Sequence, residues 1–162
     1  MDFRVGFGYD VHRLVPDREL ILGGVKIEHS LGLLGHSDAD CLLHAICDAL
    51  LGAACLGDIG RHFPDSDPKF KGISSLVLLK EVKKKIEKAG FKVQNVDATI
   101  VAQAPRLSPH INKMQENIST VLNCPNINIK ATTTEGLGFC GKELGIACYS
   151  CVLVFKNQLD SI

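Results

Sequence analysis

The sequence predicts an α/β fold of the α+β-like kind, a single domain over 1–162 in which a mixed β-sheet is packed with about three main helices. Three observations predict it. Stretches of apolar alternation and stretches of 3.6-residue periodicity intermix along the chain instead of separating into halves. The length, 162 residues, suits one domain with a sizeable core. There is also no internal repeat and no low-complexity tract to suggest a solenoid or a linker.

Residues 2–12 read as the first strand. Phe3, Val5, Phe7, Tyr9 and Val11 alternate as a buried face does. The opposite side carries Gly6, Gly8, Asp10 and His12. "ELILGGVKI" (19–27) reads as two short strands around Gly23-Gly24, a hairpin signal. Residues 29–38 form a glycine-punctuated loop. A helix is predicted over 38–54, with Leu42, Leu43, Ile46, Leu50 and Leu51 as its stripe and Ser37 or Asp38 as its cap. Residues 56–72 hold too many Gly, Pro and Asp for regular structure and read as a long loop. A second helix spans 74–89 and stops at Gly90, and residues 93–102 are a strand. Ser108 as N-cap and Pro109 at the first helical position open a third helix, with Ile111, Met114, Ile118 and Leu122 on its buried face. Strands follow over 126–134 and 145–155, joined by "TEGLGFCGKELG".

Composition excludes several function classes. Lysine plus arginine equals aspartate plus glutamate, 18 each, so no net field recommends nucleic acid as a partner. The Lys83-Lys84-Lys85 run sits beside Glu81 and Glu87 at helical spacing and reads as a solvated face. No window approaches the roughly 18 apolar residues of a membrane span. The first strand begins within a few residues of Met1, which leaves no room for a signal peptide. Seven scattered cysteines, an odd number, fit reduced thiols in a cytoplasmic setting. A plastid-type organelle is compatible if a transit peptide has been removed. The C-x-x-C at Cys148–Cys151 falls in a strand, where positions i and i+3 face opposite ways and do not share a metal.

Asp10 and His12, two apart on a strand, project to one side about 7 Å apart along the chain. That pair suits a small cation that accepts oxygen and nitrogen. His44 on the first helix is the candidate third ligand. Asp40 and Asp48, at i−4 and i+4, could take its other N–H. Three protein ligands leave an open position, as catalytic zinc sites do. A surface ion pair on the strand and a solvated face on the helix account for the same residues.

A second constellation points to phosphate. "GHSDAD" (35–40) leads into the helix that carries His44, where exposed backbone N–H groups attract anions. His36 and Ser37 there can donate to a phosphate oxygen, although a plain helix cap would use the same residues. Thr132, Thr133 and Thr134 sit where a strand gives way to glycines, and Glu135 adds a hard oxygen ligand of the kind magnesium takes. A β-branched strand end and a turn explain these equally. The aspartates of 56–72 could bind sugar hydroxyls or simply make turns.

These stretches in this order resemble the 2-C-methyl-D-erythritol 2,4-cyclodiphosphate synthases, enzymes of non-mevalonate isoprenoid synthesis. The matching segments are "GFGYDVHRL", "LGGVKI", "GLLGHSDADCLLHAICDALLGAACLGDIGRHFPDSDPKFKG", "NVDATIVAQAPRLSPHI" and "KATTTEGLGFCGKELGIA". They cover nearly the whole chain. The resemblance implies a lyase that converts 4-diphosphocytidyl-2-C-methyl-D-erythritol 2-phosphate to the 2,4-cyclodiphosphate with release of CMP. It implies Zn2+ on Asp10, His12 and His44, and Mg2+ or Mn2+ on Glu135. His36 and Thr133 join the three zinc ligands as its catalytic set. Substrate contacts carried over are His36 and Ser37 to phosphate, Thr133 to the α-phosphate, Asp58 and Gly60 to ribose, and Asp65 to an erythritol hydroxyl, with Thr132 also in the substrate-binding set. The backbone around Ala102, Ala104, Pro105, Arg106 and Leu107 would hold cytosine. Phe139 and Lys142 complete the implied set.

The family is a homotrimer with sites between subunits, and that expectation rests on the resemblance alone. Lys142 stands where members often carry an arginine on the trimer axis, with Glu143 and Leu144 following. Lysine is not equivalent to arginine at a two-pronged anion contact, so the match does not extend to an isoprenoid diphosphate bound there. Two rival readings use the same residues: a metal-dependent phosphohydrolase, and a structural metal clasp without turnover.

Overall fold

A computed structural model describes residues 1–156. Strand β1 (Asp2–Val15) begins the chain. β2 (Leu20–Leu22) and β3 (Val25–Ile27) form the predicted hairpin, and β4 (Gly32–Leu33) is a short edge strand. Helix α1 is Cys41–Ala53, α2 the single turn Ile59–His62, and α3 Ser75–Lys88. Then come β5 (Lys92–Val101), α4 (Ile111–Leu122), β6 (Ile127–Thr132), the turn α5 (Gly138–Gly141) and β7 (Gly145–Lys156).

The main sheet runs β4-β1-β7-β5-β6. Only β5 and β6 pair in parallel, across α4 as the crossover; β7 is antiparallel to both β1 and β5. Helices α1, α3 and α4 stack on one side, and the mixed α/β expectation stands. The core lies between that helical layer and one sheet face, where Val96, Ala98, Ile100, Ile146, Cys148, Val152 and Val154 meet Leu42, Leu43, Ile46, Leu50 and Leu51.

The face of β1 that reads as buried is the open one. Phe3, Val5, Phe7, Tyr9 and Val11 are exposed, Phe7 at 65%. The glycine face lies under α1 instead. A Cβ on Gly6 would stand 1.8 Å from the Ala49 carbonyl oxygen, and one on Gly8 1.9 Å from that of Ala45. Two missing side chains thus let the helix backbone rest on the strand, which brings α1 to Asp10 and His12. Gly6→Ala should therefore cost about 3 kcal/mol or more, since α1 must lift off a close-packed sheet. Urea unfolding of the purified variant measures this.

Two capping expectations and one loop expectation are corrected. Neither Ser37 nor Asp38 caps α1. Asp40 does, its carboxylate accepting from Leu43 N–H at 3.0 Å. The helix starts three residues later than the stripe suggested because Ala39 turns the chain in the left-handed region (φ 57°) just before it. Ser108 opens a 3-10 turn (Ser108–His110), not α4, and its hydroxyl accepts from Arg106 Nε. The loop over 56–72 is more ordered than its composition implies. Asp58 caps α2, and Asp67 caps a second short turn, Pro68–Phe70.

Elsewhere the expectations hold. Gly90 follows α3 with φ 86°. Lys83 pairs with Glu87 and Lys84 with Glu81 on a solvated face. Cys148 is buried while Cys151 is exposed, on opposite sides of β7. Among the described residues no helix is long and apolar enough to cross a membrane.

Candidate metal centre and substrate pocket

Asp10 and His12 leave β1 on the helix side, and His44 comes down from the first turn of α1. Their donor atoms form a triangle: Asp10 Oδ2 to His12 Nε2 is 2.9 Å, Asp10 Oδ2 to His44 Nδ1 is 3.1 Å, and the two imidazole nitrogens are 3.1 Å apart. Tetrahedral ligands at about 2.0–2.1 Å from one ion lie roughly 3.3 Å from each other. The donor set, one carboxylate and two imidazoles, is one that zinc-like divalent ions accept. These three are the one cluster with metal-ligand spacing among the described residues.

The outer contacts orient the ligands. His12 Nδ1 lies 2.7 Å from the Leu34 carbonyl oxygen, which can only accept, so Nδ1 carries the proton and Nε2 offers its lone pair to the cluster. His44 Nε2 lies 3.1 Å from Ser37 Oγ and 3.0 Å from Ser75 Oγ. Neither flanking aspartate serves His44, contrary to the sequence expectation. Asp40 is fully buried and accepts from Gly23, Gly24 and Leu43 N–H, tying the β2–β3 turn to the helix start. Asp48 accepts from Ile59 N–H at 2.7 Å.

The electrostatics follow from this packing. Burial raises the Asp10 carboxyl, but hydrogen bonds and charge from His12 and His44 outweigh it and hold Asp10 well below the usual carboxylate range. Burial lowers the His12 imidazole, yet Asp10 and the Leu34 carbonyl raise it above its ordinary value. For Asp40 burial dominates and pushes the carboxyl up to about 6, against its backbone donors.

The triad opens into a cavity of about 210 Å³ shared with His36, Ser37, Gly60 and Asp65 and walled by Ile59, Phe63, Phe70 and Leu78. Phe63 and Phe70 meet edge to face, centroids 5.3 Å apart. Asp58 stands next to this wall as the α2 cap, accepting from Arg61 N–H. A second cavity of about 440 Å³ is lined by Ala102, Ala104, Pro105, Arg106 and Leu107 with Thr132 and Thr133. No residue lines both. Glu135 lines neither; its carboxylate accepts from the Thr133 hydroxyl at 2.8 Å. Phe139 and Lys142 lie on the turn α5 and just after it, also outside both cavities.

Within one chain, then, the predicted site residues fall into two groups. The α1 start is also less open to anions than the sequence suggested, since the buried Asp40 carboxylate caps it and takes the Leu43 N–H. Sequence reasoning missed Ser75 and the Leu34 carbonyl. A serine at the head of an apolar stripe signals a cap, and nothing in the order of residues shows that its hydroxyl turns to a histidine 31 positions away.

This fold and the three-ligand cluster define the class, a small mixed-sheet protein with a metal-competent site at the junction of β1 and α1. Comparison with known proteins narrows the class. The YgbB family model matches residues 3–155. The 2-C-methyl-D-erythritol 2,4-cyclodiphosphate synthase of Syntrophobacter fumaroxidans is 61% identical over 153 residues, 93% of this chain and 96% of the relative. That of Syntrophomonas wolfei is 63% identical over 153 residues, 93% and 98% of the two. Among solved structures, the bifunctional IspDF of Campylobacter jejuni superposes with a TM-score of 0.92 at 44% identity, covering 96% of this chain and 43% of that longer one. The CDP complex of Plasmodium falciparum IspF gives 0.84 at 35% identity, covering 96% and 97%. The chain belongs to the YgbB family. It is an enzyme of the lyase type in isoprenoid biosynthesis. Its reaction is the cyclisation that its relatives are named for, forming 2-C-methyl-D-erythritol 2,4-cyclodiphosphate.

Proposed function

We propose that Asp10, His12 and His44 hold Zn2+, that Glu135 holds Mg2+ or Mn2+, and that a homotrimer joins the two separated groups of site residues into one active site between subunits. The observation that carries this reading is the convergence of the three donor atoms at the mouth of a cavity that His36, Ser37 and Asp65 also line. The bound cations would offset the charge crowding that opposes attack of one phosphate on another.

The remaining work falls to the chain's own groups. The 2-phosphate of the substrate attacks the β-phosphorus, the bond from that phosphorus to the bridging oxygen breaks, and CMP leaves with that oxygen. No covalent intermediate on a side chain is required, so catalysis is positioning and charge neutralisation. His36 and Ser37 face the substrate phosphate. Asp58 and Gly60 take the ribose, and Asp65 an erythritol hydroxyl. Thr133 helps hold the α-phosphate with Thr132 beside it, Phe139 and Lys142 complete the substrate contacts, and the 102–107 segment reads cytosine through its backbone. The aromatic pair Phe63–Phe70 excludes water from the reacting centre.

Two further observations support this reading, one of the ligand and one of the assembly. CDP is bound in the Plasmodium falciparum relative, which agrees with a cytidine-reading segment such as 102–107. The open sheet face also carries a ladder of rings, with Phe7–Tyr149 and Tyr9–Tyr149 centroids at 6.3 and 5.0 Å. An apolar patch of this kind marks an interface. A CMP-release assay with and without added magnesium, beside elemental analysis of the purified protein, tests the proposal. Inorganic phosphate in place of CMP would instead mean a phosphohydrolase.

The pH dependence has a definite sign. The folded His12 value lies above its ordinary 6.5, so its stabilisation of metal-free protein is complete below that pH and is lost as pH rises through the folded value. Asp10 is lowered, so its contribution is present above its ordinary 3.8 and is lost as pH falls through the folded value. The Asp10–His12 pair therefore contributes most to the metal-free protein between about pH 4 and 6.5, while the raised Asp40 carboxyl opposes it by losing stability as pH rises from about 3.8 to about 6. Metal affinity runs the other way, rising with pH as His12 loses its proton. Thermal unfolding across this range, with chelator and with Zn2+, reads both trends.

A further inference from the structure

We infer that Asp38 and Ser75 form a positioning pair for His44, fixing the proton on its outer nitrogen so that Nδ1 is presented to the metal. The inference rests on the metal-binding reading of the triad.

The hydrogen-bond directions carry it. Asp38 is a carboxylate and only accepts. Its Oδ1 receives the Ser75 hydroxyl in a short contact, and also Asp40 N–H at 3.1 Å. Its Oδ2 receives Ser75 N–H at 2.9 Å. The Ser75 hydroxyl proton is therefore spent on Asp38. What Ser75 Oγ has left for His44 Nε2, 3.0 Å away, is a lone pair, so Nε2 must be the donor. With the proton on Nε2, the lone pair is on Nδ1, the atom 3.1 Å from both Asp10 Oδ2 and His12 Nε2. Ser37 Oγ, 3.1 Å from the same Nε2, accepts from Ala39 N–H and keeps a second lone pair that can share the Nε2 proton, but makes no comparable chain to a carboxylate.

The pair is built to hold still. Ser75 is completely buried at the start of α3. Asp38 N–H donates to the Ile73 carbonyl at 3.1 Å, and Gly72 N–H to the His36 carbonyl at 2.8 Å, so the 36–38 and 72–75 segments are stitched together on both sides of the pair. Side-chain contacts 37 and 31 residues apart in sequence thereby link Asp38 through Ser75 to a single ring nitrogen. A carboxylate–hydroxyl–imidazole chain of this kind does for His44 what a direct carboxylate does for most metal-bound histidines.

A capping role alone would be different. Ser74 is the N-cap of α3 and makes no side-chain cap bond; Asp38 serves instead, through Ser75 N–H. Ser75→Ala leaves that bond in place and removes only the hydroxyl. Zn2+ affinity by competition with a chromophoric chelator and the absorption bands of the Co2+-loaded protein read the role without any turnover. Ser75→Ala should weaken Zn2+ binding about 10- to 100-fold, change the Co2+ spectrum, and lower kcat with KM little changed. Asp38→Asn keeps the volume but sets an amide N–H against Ser75 N–H, and should weaken binding to a similar degree. The double variant should lose no more than the worse single one, since the two act as one unit.

Unchanged Zn2+ affinity and an unchanged Co2+ spectrum in Ser75→Ala would overturn the inference, even with a lowered Tm. So would losses that simply add. His44→Ala, measured alongside, separates the two levels. If it binds Zn2+ like the parent, the metal reading of the triad fails and the positioning role falls with it.

Discussion

His44→Ala is expected to leave the protein folded, with Zn2+ absent from the purified sample and CMP release lowered by about 10³-fold or more. The fold should survive because the buried stripe of α1 lies elsewhere, on Leu42, Leu43, Ile46, Leu50 and Leu51, and because alanine is the better helix former. The imidazole itself is partly exposed at the cavity mouth, so its removal opens room for water rather than an empty void. Ser37 and Ser75, which lose a partner, face that same water. The metal-free variant should therefore melt within a few degrees of the metal-free parent. Binding is another matter. One of three ligands goes, and the two that remain, Asp10 and His12, are already joined to each other at 2.9 Å. Without the third, protons compete better than a cation for that pair. A rate loss of about 10³ corresponds to roughly 4 kcal/mol of transition-state stabilisation, the range that charge neutralisation by a bound metal supplies. Full activity in this variant would refute the assignment. A stable, metal-free, inactive protein would support it and exclude the structural clasp, whose loss should depress Tm far more than turnover.

Much of the fold and the heart of the candidate site were legible in the sequence, and the failures have physical reasons. The two-residue period of β1 shows that Asp10 and His12 share a side. It does not show which side the helices cover. The apolar row Phe3-Val5-Phe7-Tyr9-Val11 carries a strong hydrophobic signal and invites assignment to the core. Gly6 and Gly8 carry the decisive one, since a helix backbone can rest only where side chains are missing. The i±4 spacing of Asp40 and Asp48 around His44 suggested helix-surface neighbours. Each has stronger claims elsewhere, because unpaired backbone N–H groups at a helix start and at a turn draw carboxylates firmly. Ser75 shows the opposite limit. Its hydroxyl reaches His44 only because α1 and α3 pack side by side, and no local pattern records that. The division into two groups, one at the β1–α1 junction and one at the ends of β5 and β6, is likewise a matter of topology.

That division is what makes Phe7→Asp the second variant of large expected effect. Phe7 lies 65% exposed on the open sheet face, opposite Cys151 of β7 and close to the Tyr149 ring. As a change to an exposed residue of a single chain it should alter monomer stability by no more than about 0.5 kcal/mol. In a trimer packed through this face it would place a carboxylate in an apolar contact, at a cost of several kcal/mol per subunit. Analytical ultracentrifugation should find monomers where the parent gives trimers. CMP release should then be lost although Asp10, His12 and His44 are untouched and still bind Zn2+, because the groups of the 102–107 segment no longer meet the metal-bearing cavity of a neighbouring chain. A trimeric and fully active variant would move the interface off this face. A monomeric and fully active one would mean that a single chain closes its own site, and the shared-site reading would have to be abandoned.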